Sequence, residues 1–336
     1  MSQKKLGQQT WAVTSGVRVL ASAAVVGPKE GQGLLKNDYD AIYSDTYAGQ
    51  DTWERAERKM LEDAVDFALH KSGYKKQEID LYIAGDLMNQ IIVSSFSAKA
   101  LGIPHMGVFS ACASSMQSVT LGALFIEGGL MARVVAGVSS HNSSSERQFR
   151  YPTEYGGQKP PMAGWTATGA GAVVLGHGKV GPLVTHCTIG KVIDLGVKDP
   201  FNLGAAMAPA AAHTIEKHLS DTGRTPDDYD LIVTGDLRQS GYNITKELLR
   251  KKDIIIGDNY QDCGLMIYDP KQRDYGGASG CASSAIVTYG HIFRQMARGK
   301  YRKVLVVATG ALFSPISFQQ KESIPCVAHA VSFELG

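Results

Sequence analysis

No stretch of about 18 consecutive apolar residues occurs in the sequence, which argues against a helix that spans a bilayer. Cysteine is scarce and unpatterned. The five cysteines, Cys112, Cys187, Cys263, Cys281 and Cys326, are an odd number without a CxxC pair, so neither a disulfide framework nor a structural zinc site is expected. Charge of one sign is also missing: 34 Lys and Arg face 32 Asp and Glu, and a net charge of +2 gives no global field that favours nucleic acid. Met1 to Thr10 is polar and leads into nothing like a signal peptide, so synthesis in the cytosol is expected. What remains is a globular balance, 44% hydrophobic and 20% charged over 336 residues, enough for two units or one two-lobed body.

The sequence repeats itself. Asp80-Leu-Tyr-Ile-Ala-Gly-Asp-Leu87 recurs as Asp230-Leu-Ile-Val-Thr-Gly-Asp-Leu237. Gly107-Val-Phe-Ser-Ala-Cys-Ala-Ser-Ser115 recurs as Gly276-Gly-Ala-Ser-Gly-Cys-Ala-Ser-Ser284, which sets Cys112 against Cys281. After each cysteine come an apolar helical stretch (Met116 to Glu127; Ala285 to Met296), a glycine break, and a strand (Arg133 to Val138; Lys303 to Ala308). Ala172-Val-Val-Leu175 resembles Ala330-Val-Ser-Phe333 in the same way. Helical spacing over Asp51 to His70, closed by Gly73, and short apolar strands at Glu78 to Ala84 and His105 to Phe109 complete the pattern. Strands alternating with helices at these lengths predict mostly parallel sheet with helices on both faces.

A cysteine at the first turn of a helix has its thiolate favoured by unpaired N–H groups and the positive end of the macrodipole. Cys112 is expected there, either as a nucleophile or anion-receiving thiol, or as a small buried residue in a tight strand-to-helix corner. An acyl-transferring cysteine also needs a base and oxyanion donors. The loops that the repeat sets beside Cys112, Thr234-Gly-Asp-Leu-Arg-Gln239 and Tyr275-Gly-Gly-Ala-Ser-Gly280, contain no histidine or asparagine.

Ser-Ala-Cys112-Ala-Ser-Ser, Gly169-Ala-Gly-Ala-Val-Val-Leu175 and the duplicated halves resemble the thiolase superfamily, within it the ketoacyl-synthase III branch with its Cys–His–Asn triad. Here the histidine position falls at Gly235 or Asp236 and the asparagine position at Ala278 or Ser279. The resemblance implies two α/β halves, residues 1–180 and 181–336, in a layered α-β-α-β-α sandwich. It also implies a homodimer paired through His105 to Phe109, whose edge is otherwise bare.

Longer strings carry a closer likeness. His141-Asn-Ser-Ser-Ser-Glu-Arg-Gln-Phe-Arg-Tyr-Pro-Thr-Glu-Tyr-Gly-Gly-Gln-Lys-Pro160, Asp199-Pro-Phe-Asn202, Ala206-Met-Ala-Pro-Ala-Ala-Ala212, Asp262-Cys-Gly-Leu265, Gly290-His-Ile-Phe293 and Ala308-Thr-Gly-Ala-Leu312 resemble the stage V sporulation protein AD family. That resemblance implies non-catalytic binding of dipicolinic acid (pyridine-2,6-dicarboxylate), free or as its calcium chelate. The ligand would be taken into the developing spore, and released in germination, together with membrane proteins of the same spore operon. It implies a cytoplasmic chain that ends peripheral on the spore inner membrane, with no cofactor and no nucleic acid. The alternative is a cysteine-dependent acyltransferase using Cys112, with water or Asp236 managing the proton.

A flat dianion needs N–H or cationic donors around a slot of small or aromatic groups. The cleft at Cys112 is the expected place, with Gly277 and Ser279 on the glycine-rich loop as donors and Asn89, His141 and Asn142 adding side-chain bonds from loops after strands. Glu146 to Pro160 reads either as a lid supplying Arg147, Arg150 and Lys159, or as a solvated excursion. Asp86 and Asp236, in the two Gly-Asp-Leu turns, either meet the calcium of a chelate or cap the following helix. No metal site follows from the histidines: His213 and His218 do not share a helix face, and His291 and His329 sit in apolar surroundings.

Overall fold

A computed structural model describes residues 4–149, 160–272 and 276–336. One large sheet carries the repeat. From its outer edge the first set of strands runs His105–Gly107, Leu81–Gly85, Arg133–Ser140, Gly169–His177, Val17–Val26. The second set continues Leu183–Thr188, Cys326–Glu334, Lys303–Ala311, Leu231–Thr234, Tyr260–Asp262, the mirror order. The sets join where Arg18 pairs with Leu183. In each, the two outer pairings are parallel and the inner ones antiparallel. The expectation of mostly parallel sheet is corrected accordingly: hydrophobic periodicity marks strands but carries no information on their direction.

Three apolar clusters fix the layering. The helices Trp53–Ser72 and Ile92–Leu101 pack on one outer face, with Met60, Leu61, Ala64 and Val65 wholly buried against Tyr82, Val135 and Val174. Leu203–Thr222 packs on the other, with Met207 and Ile215 against Ile232, Leu305 and Ala330. Between the half-sheets lie Ser114–Glu127 and the helix that begins at Cys281, with Met116, Ala123, Ile286 and Tyr289 in one cluster. Val134, Ala136 and Val138 face that centre while Val135 faces outward, the period-2 alternation of a strand covered on both sides. The result is the α-β-α-β-α sandwich. Burying a side chain such as Leu61 contributes about 1.5–3 kcal/mol over leaving it in water.

Helix boundaries follow local chemistry. Thr52 caps Trp53–Ser72 by accepting from Arg55 N–H (3.4 Å), and Gly73 ends it at φ 76°, a conformation a side chain would strain. The helix expected over Ala285 to Met296 is instead widened into a π-helix at Ile286–Ile292. The widening frees the Tyr289 carbonyl to accept from Ser22 Oγ (2.8 Å) and seats Gly290 where a Cβ would lie 3.1 Å from Ala24 Cβ.

The repeat-related serines after the two cysteines meet at the centre. Ser115 Oγ and Ser284 Oγ share a buried hydrogen bond of 2.6 Å, and Tyr289 Oη donates to Ser115 O (3.2 Å). Removing the Ser284 hydroxyl strands Ser115 Oγ in an apolar layer, and removing the Ser115 hydroxyl leaves Ser284 Oγ only a long bond to Cys281 O (3.4 Å). Ser115→Ala and Ser284→Ala are each expected to lower stability by about 1 kcal/mol, and the double variant to lose about 1 kcal/mol less than their sum in urea unfolding. Strictly additive losses would contradict the coupling.

Candidate functional site

A cleft of about 400 Å³ opens above Cys112. Phenyl rings form much of its wall: Phe109, Phe149, Phe201, Phe313 and Phe318, with Phe149 and Phe313 tilted at 5.5 Å. Cys112, Ala111, Ser279 and Arg238 line its depth.

Arg238 is the charged group of the floor. It is 2% exposed, and it begins its helix from φ 58°, a left-handed conformation rare for a side-chain-bearing residue. Its Nη1 donates to Met162 O (2.7 Å), while Nε has no hydrogen-bond partner among the described residues. Burial weakens the guanidinium's hold on its proton, and the carboxyls of Asp236 and Asp262 counter this. Asp262 accepts from the backbone N–H groups of Leu237 (2.9 Å) and Arg238 (3.0 Å) and from Thr234 Oγ1 (2.7 Å), which fixes the turn that aims Arg238. Burial pushes the Asp262 carboxyl up to about 6 despite these donors.

Asp236 lies beneath the floor, wholly buried. Ser279 Oγ and Gly280 N–H donate to its Oδ2 (3.0 Å each), and Thr309 Oγ1 donates to Oδ1 (2.8 Å). Burial, and next the Asp236 carboxylate, push the Cys112 thiol well above its ordinary range. Of the two readings of Cys112, the small buried residue is the one these surroundings favour, and the expected place in the first turn of the helix is corrected. The helix begins only at Ser114, beyond Cys112, and an acid stands beside the sulfur where a thiolate would need a cation.

Of the other expected residues, Ser279 lines the cleft, while Gly277 is not among its lining residues and packs behind Arg238. Gly277 sits at φ 128°, where a Cβ would lie 2.8 Å from Gly264 O and 3.3 Å from Arg238 Cγ, and its carbonyl accepts from Trp165 N–H (3.0 Å). Asn142 is buried one turn before the cleft-lining Ser145, on the same helix face. Asp86 lies outside the cleft and accepts from Met88 N–H (2.9 Å), Ser94 N–H and Ser94 Oγ (2.7 Å each), so it ties down its own loop and the first turn of the helix Ile92–Leu101, the capping one of its two readings. Two expectations are corrected. His141 is consumed by structure, bonding Thr46 O (2.7 Å) and accepting from Ser143 N–H (3.1 Å), with burial lowering its pKa. Asn89 is exposed and spends its backbone N–H on Gln148 Oε1 (2.8 Å).

From the expected lid, Glu146 and Phe149 do line the cleft. Arg147 turns away to pair with Glu54 and lie over Trp53 (5.6 Å), while Arg150 and Lys159 fall outside the described residues. His329 bonds Ser110 Oγ (3.2 Å) and Gly190 N–H (3.2 Å), and His291 pairs with Asp38 (2.6 Å), both as packed groups. Sequence reasoning missed Arg238, Ser145 and most of the phenyl wall. Arg238 was in view, two residues past Asp236, and the signal was a cation in a loop already assigned to the cleft mouth.

The model of the family described as stage V sporulation protein AD matches residues 7–334. The stage V sporulation protein AD of Bacillus subtilis (strain 168) is 49% identical over 331 residues, covering 98% of this chain and 98% of that protein. Among solved structures, 3-oxoacyl-[acyl-carrier-protein] synthase III from Aquifex aeolicus VF5 aligns with a TM-score of 0.60 at 15% identity over 95% of this chain and 100% of its own. Cerulenin-bound OleA from Xanthomonas campestris aligns with a TM-score of 0.63 at 14% identity over 100% of both chains. At such identities these neighbours show the fold alone. The chain thus belongs to the stage V sporulation protein AD family, built on a thiolase-like fold.

Proposed function

We propose that the cleft binds dipicolinic acid without transforming it, and that the chain serves the passage of this ligand into the developing spore and its release in germination. Arg238 carries the reading. A buried guanidinium with an unpaired Nε, at the floor of a cleft walled by phenyl rings, is a fork for a carboxylate beneath a slot for a flat ring. About 400 Å³ lies within the range of small-molecule sites. Among the described residues no group of three or more acidic, histidine or cysteine side chains is placed to hold a metal ion. Calcium that travels with the ligand is therefore held mainly by the ligand's own carboxylates and ring nitrogen, with Glu146 the acidic side chain on the wall.

Binding without chemistry is supported by the state of Cys112. The thiolate is the attacking species in acyl transfer, and burial, then the Asp236 carboxylate, oppose its formation. Asp236 accepts from Ser279 Oγ, Gly280 N–H and Thr309 Oγ1, which commits its oxygens to the floor, while burial raises its own pKa.

Two further parts of the reading concern assembly. No helix among the described residues is long and apolar enough to cross a membrane, and we place the chain at the spore inner membrane through the membrane proteins that pass the ligand on. The outer edge of His105–Gly107 pairs with no strand among the described residues, and Ile92, Phe96, Met106 and Phe109 are exposed around it. A second copy covers that edge in the homodimer we propose.

Calorimetric titration is expected to show binding of dipicolinate and little of the 2,4-dicarboxylate isomer. Arg238→Lys keeps the charge, loses the planar fork, and is expected to weaken binding about tenfold or more with the unfolding transition retained. No heat from the unaltered protein would overturn the reading. Incubation with a panel of acyl-CoA thioesters at neutral pH is expected to leave the intact mass unchanged, whereas an adduct abolished by Cys112→Ser would establish the acyltransferase instead. Sedimentation equilibrium is expected to give the mass of two chains, and a monomer at micromolar concentration would remove the dimer.

A further inference from the structure

The cleft holds a second unsatisfied donor, on the wall contributed by the first half of the chain. Ser145, on the helix Asn142–Phe149, is 5% exposed and lines the cleft, and its hydroxyl has no hydrogen-bond partner among the described residues. A helical serine ordinarily returns its hydroxyl to the carbonyl one turn back. For Ser145 that carbonyl, His141 O, already accepts from the Ser145 N–H (3.0 Å) and from Ser144 Oγ (3.2 Å). The adjacent Ser144 turns the other way and also donates to Glu57 Oε2 (2.8 Å). One turn before Ser145 on the same face, the buried amide Nδ2 of Asn142 is likewise unpaired among the described residues.

Each half of the chain thus lines one cleft with a residue whose buried donor has no partner among the described residues, Arg238 from the second half and Ser145, backed by Asn142, from the first. We infer that Ser145, with Asn142 behind it, receives the second carboxylate of a ligand whose first carboxylate Arg238 holds, so that the cleft selects aromatic dicarboxylates over monocarboxylates. The inference rests on the dipicolinate reading and adds to it the residue that sets specificity. A monocarboxylate fills the phenyl slot and engages Arg238 but leaves the Ser145 hydroxyl without its anionic acceptor. A dicarboxylate satisfies both ends, and a buried donor left unmatched is what gives a polar site its discrimination.

The test compares dipicolinate with picolinate, the pyridine-2-carboxylate that lacks one acid group, by calorimetric titration. The unaltered protein is expected to prefer dipicolinate by about tenfold or more. Ser145→Ala is expected to weaken dipicolinate about tenfold while leaving picolinate within about twofold. Picolinate binding also reports that the variant's cleft is folded. A Ser145→Ala protein that keeps the full preference overturns the inference and leaves dipicolinate binding standing. Equal loss of both ligands overturns it as well, because Ser145 would then hold the wall rather than read the ligand. Equal affinity of the unaltered protein for both ligands removes the preference that Ser145 is said to set, and binding of neither ligand defeats the underlying reading.

Discussion

A guanidinium buried between two buried carboxyls, Asp236 and Asp262, is the constraint on which the site depends. An isolated charge at that depth is costly, and a partial hydrogen-bond set is tolerated only where the surroundings over-determine it. Here they do. Asp262 is tied to the turn by three donors, Asp236 by three more from the loop and strand opposite, and Gly277 leaves room for the aliphatic stem of Arg238. The floor is thus held from several elements at once, and the buried Nε of Arg238, a cleft-lining residue, has no hydrogen-bond partner among the described residues.

The duplication makes the origin of this arrangement visible. Each buried aspartate of a Gly-Asp-Leu turn bears on the cysteine of the opposite half: Asp236 raises the Cys112 thiol, and Asp86 raises that of Cys281. The two places then diverge. Around Cys281 the space is closed, with Glu57 buried beside Asp86 and accepting from Ser139 Oγ (3.0 Å) and Ser144 Oγ (2.8 Å). Burial, and then Asp86, hold Glu57 above the usual carboxyl range. Around Cys112 the counterpart surroundings supply Arg238 and an open cleft. One copy is structural filling and the other the floor of a cleft, with the Ser115–Ser284 bond between them.

Much of this was legible in the sequence. The repeated Gly-Asp-Leu and Cys-Ala-Ser-Ser strings marked the paired halves because they occupy equivalent turns, and the missing histidine showed as Gly235 or Asp236 in its expected place. What escaped was whatever depends on elements distant along the chain. Ser145 and Arg238 share a cleft although 93 positions separate them, and nothing in either local string says so. For Asp86 the sequence offered a calcium contact or a helix cap, and its bonds to Met88 and Ser94 give it the cap. His141 looked like a free loop donor, but the loop at Thr46 uses its ring. The π-helix at Ile286–Ile292 is likewise set by Ser22 and Ala24 on a neighbouring strand rather than by its own spacing.

The most direct measurement is a crystal structure of the protein grown with dipicolinate. The account predicts the pyridine ring between the phenyl walls, one carboxylate within hydrogen-bond distance of Arg238 Nε, and the Cys112 sulfur unmodified. An empty cleft with the ligand ordered elsewhere, or an acyl group on the sulfur of protein as purified, would contradict it.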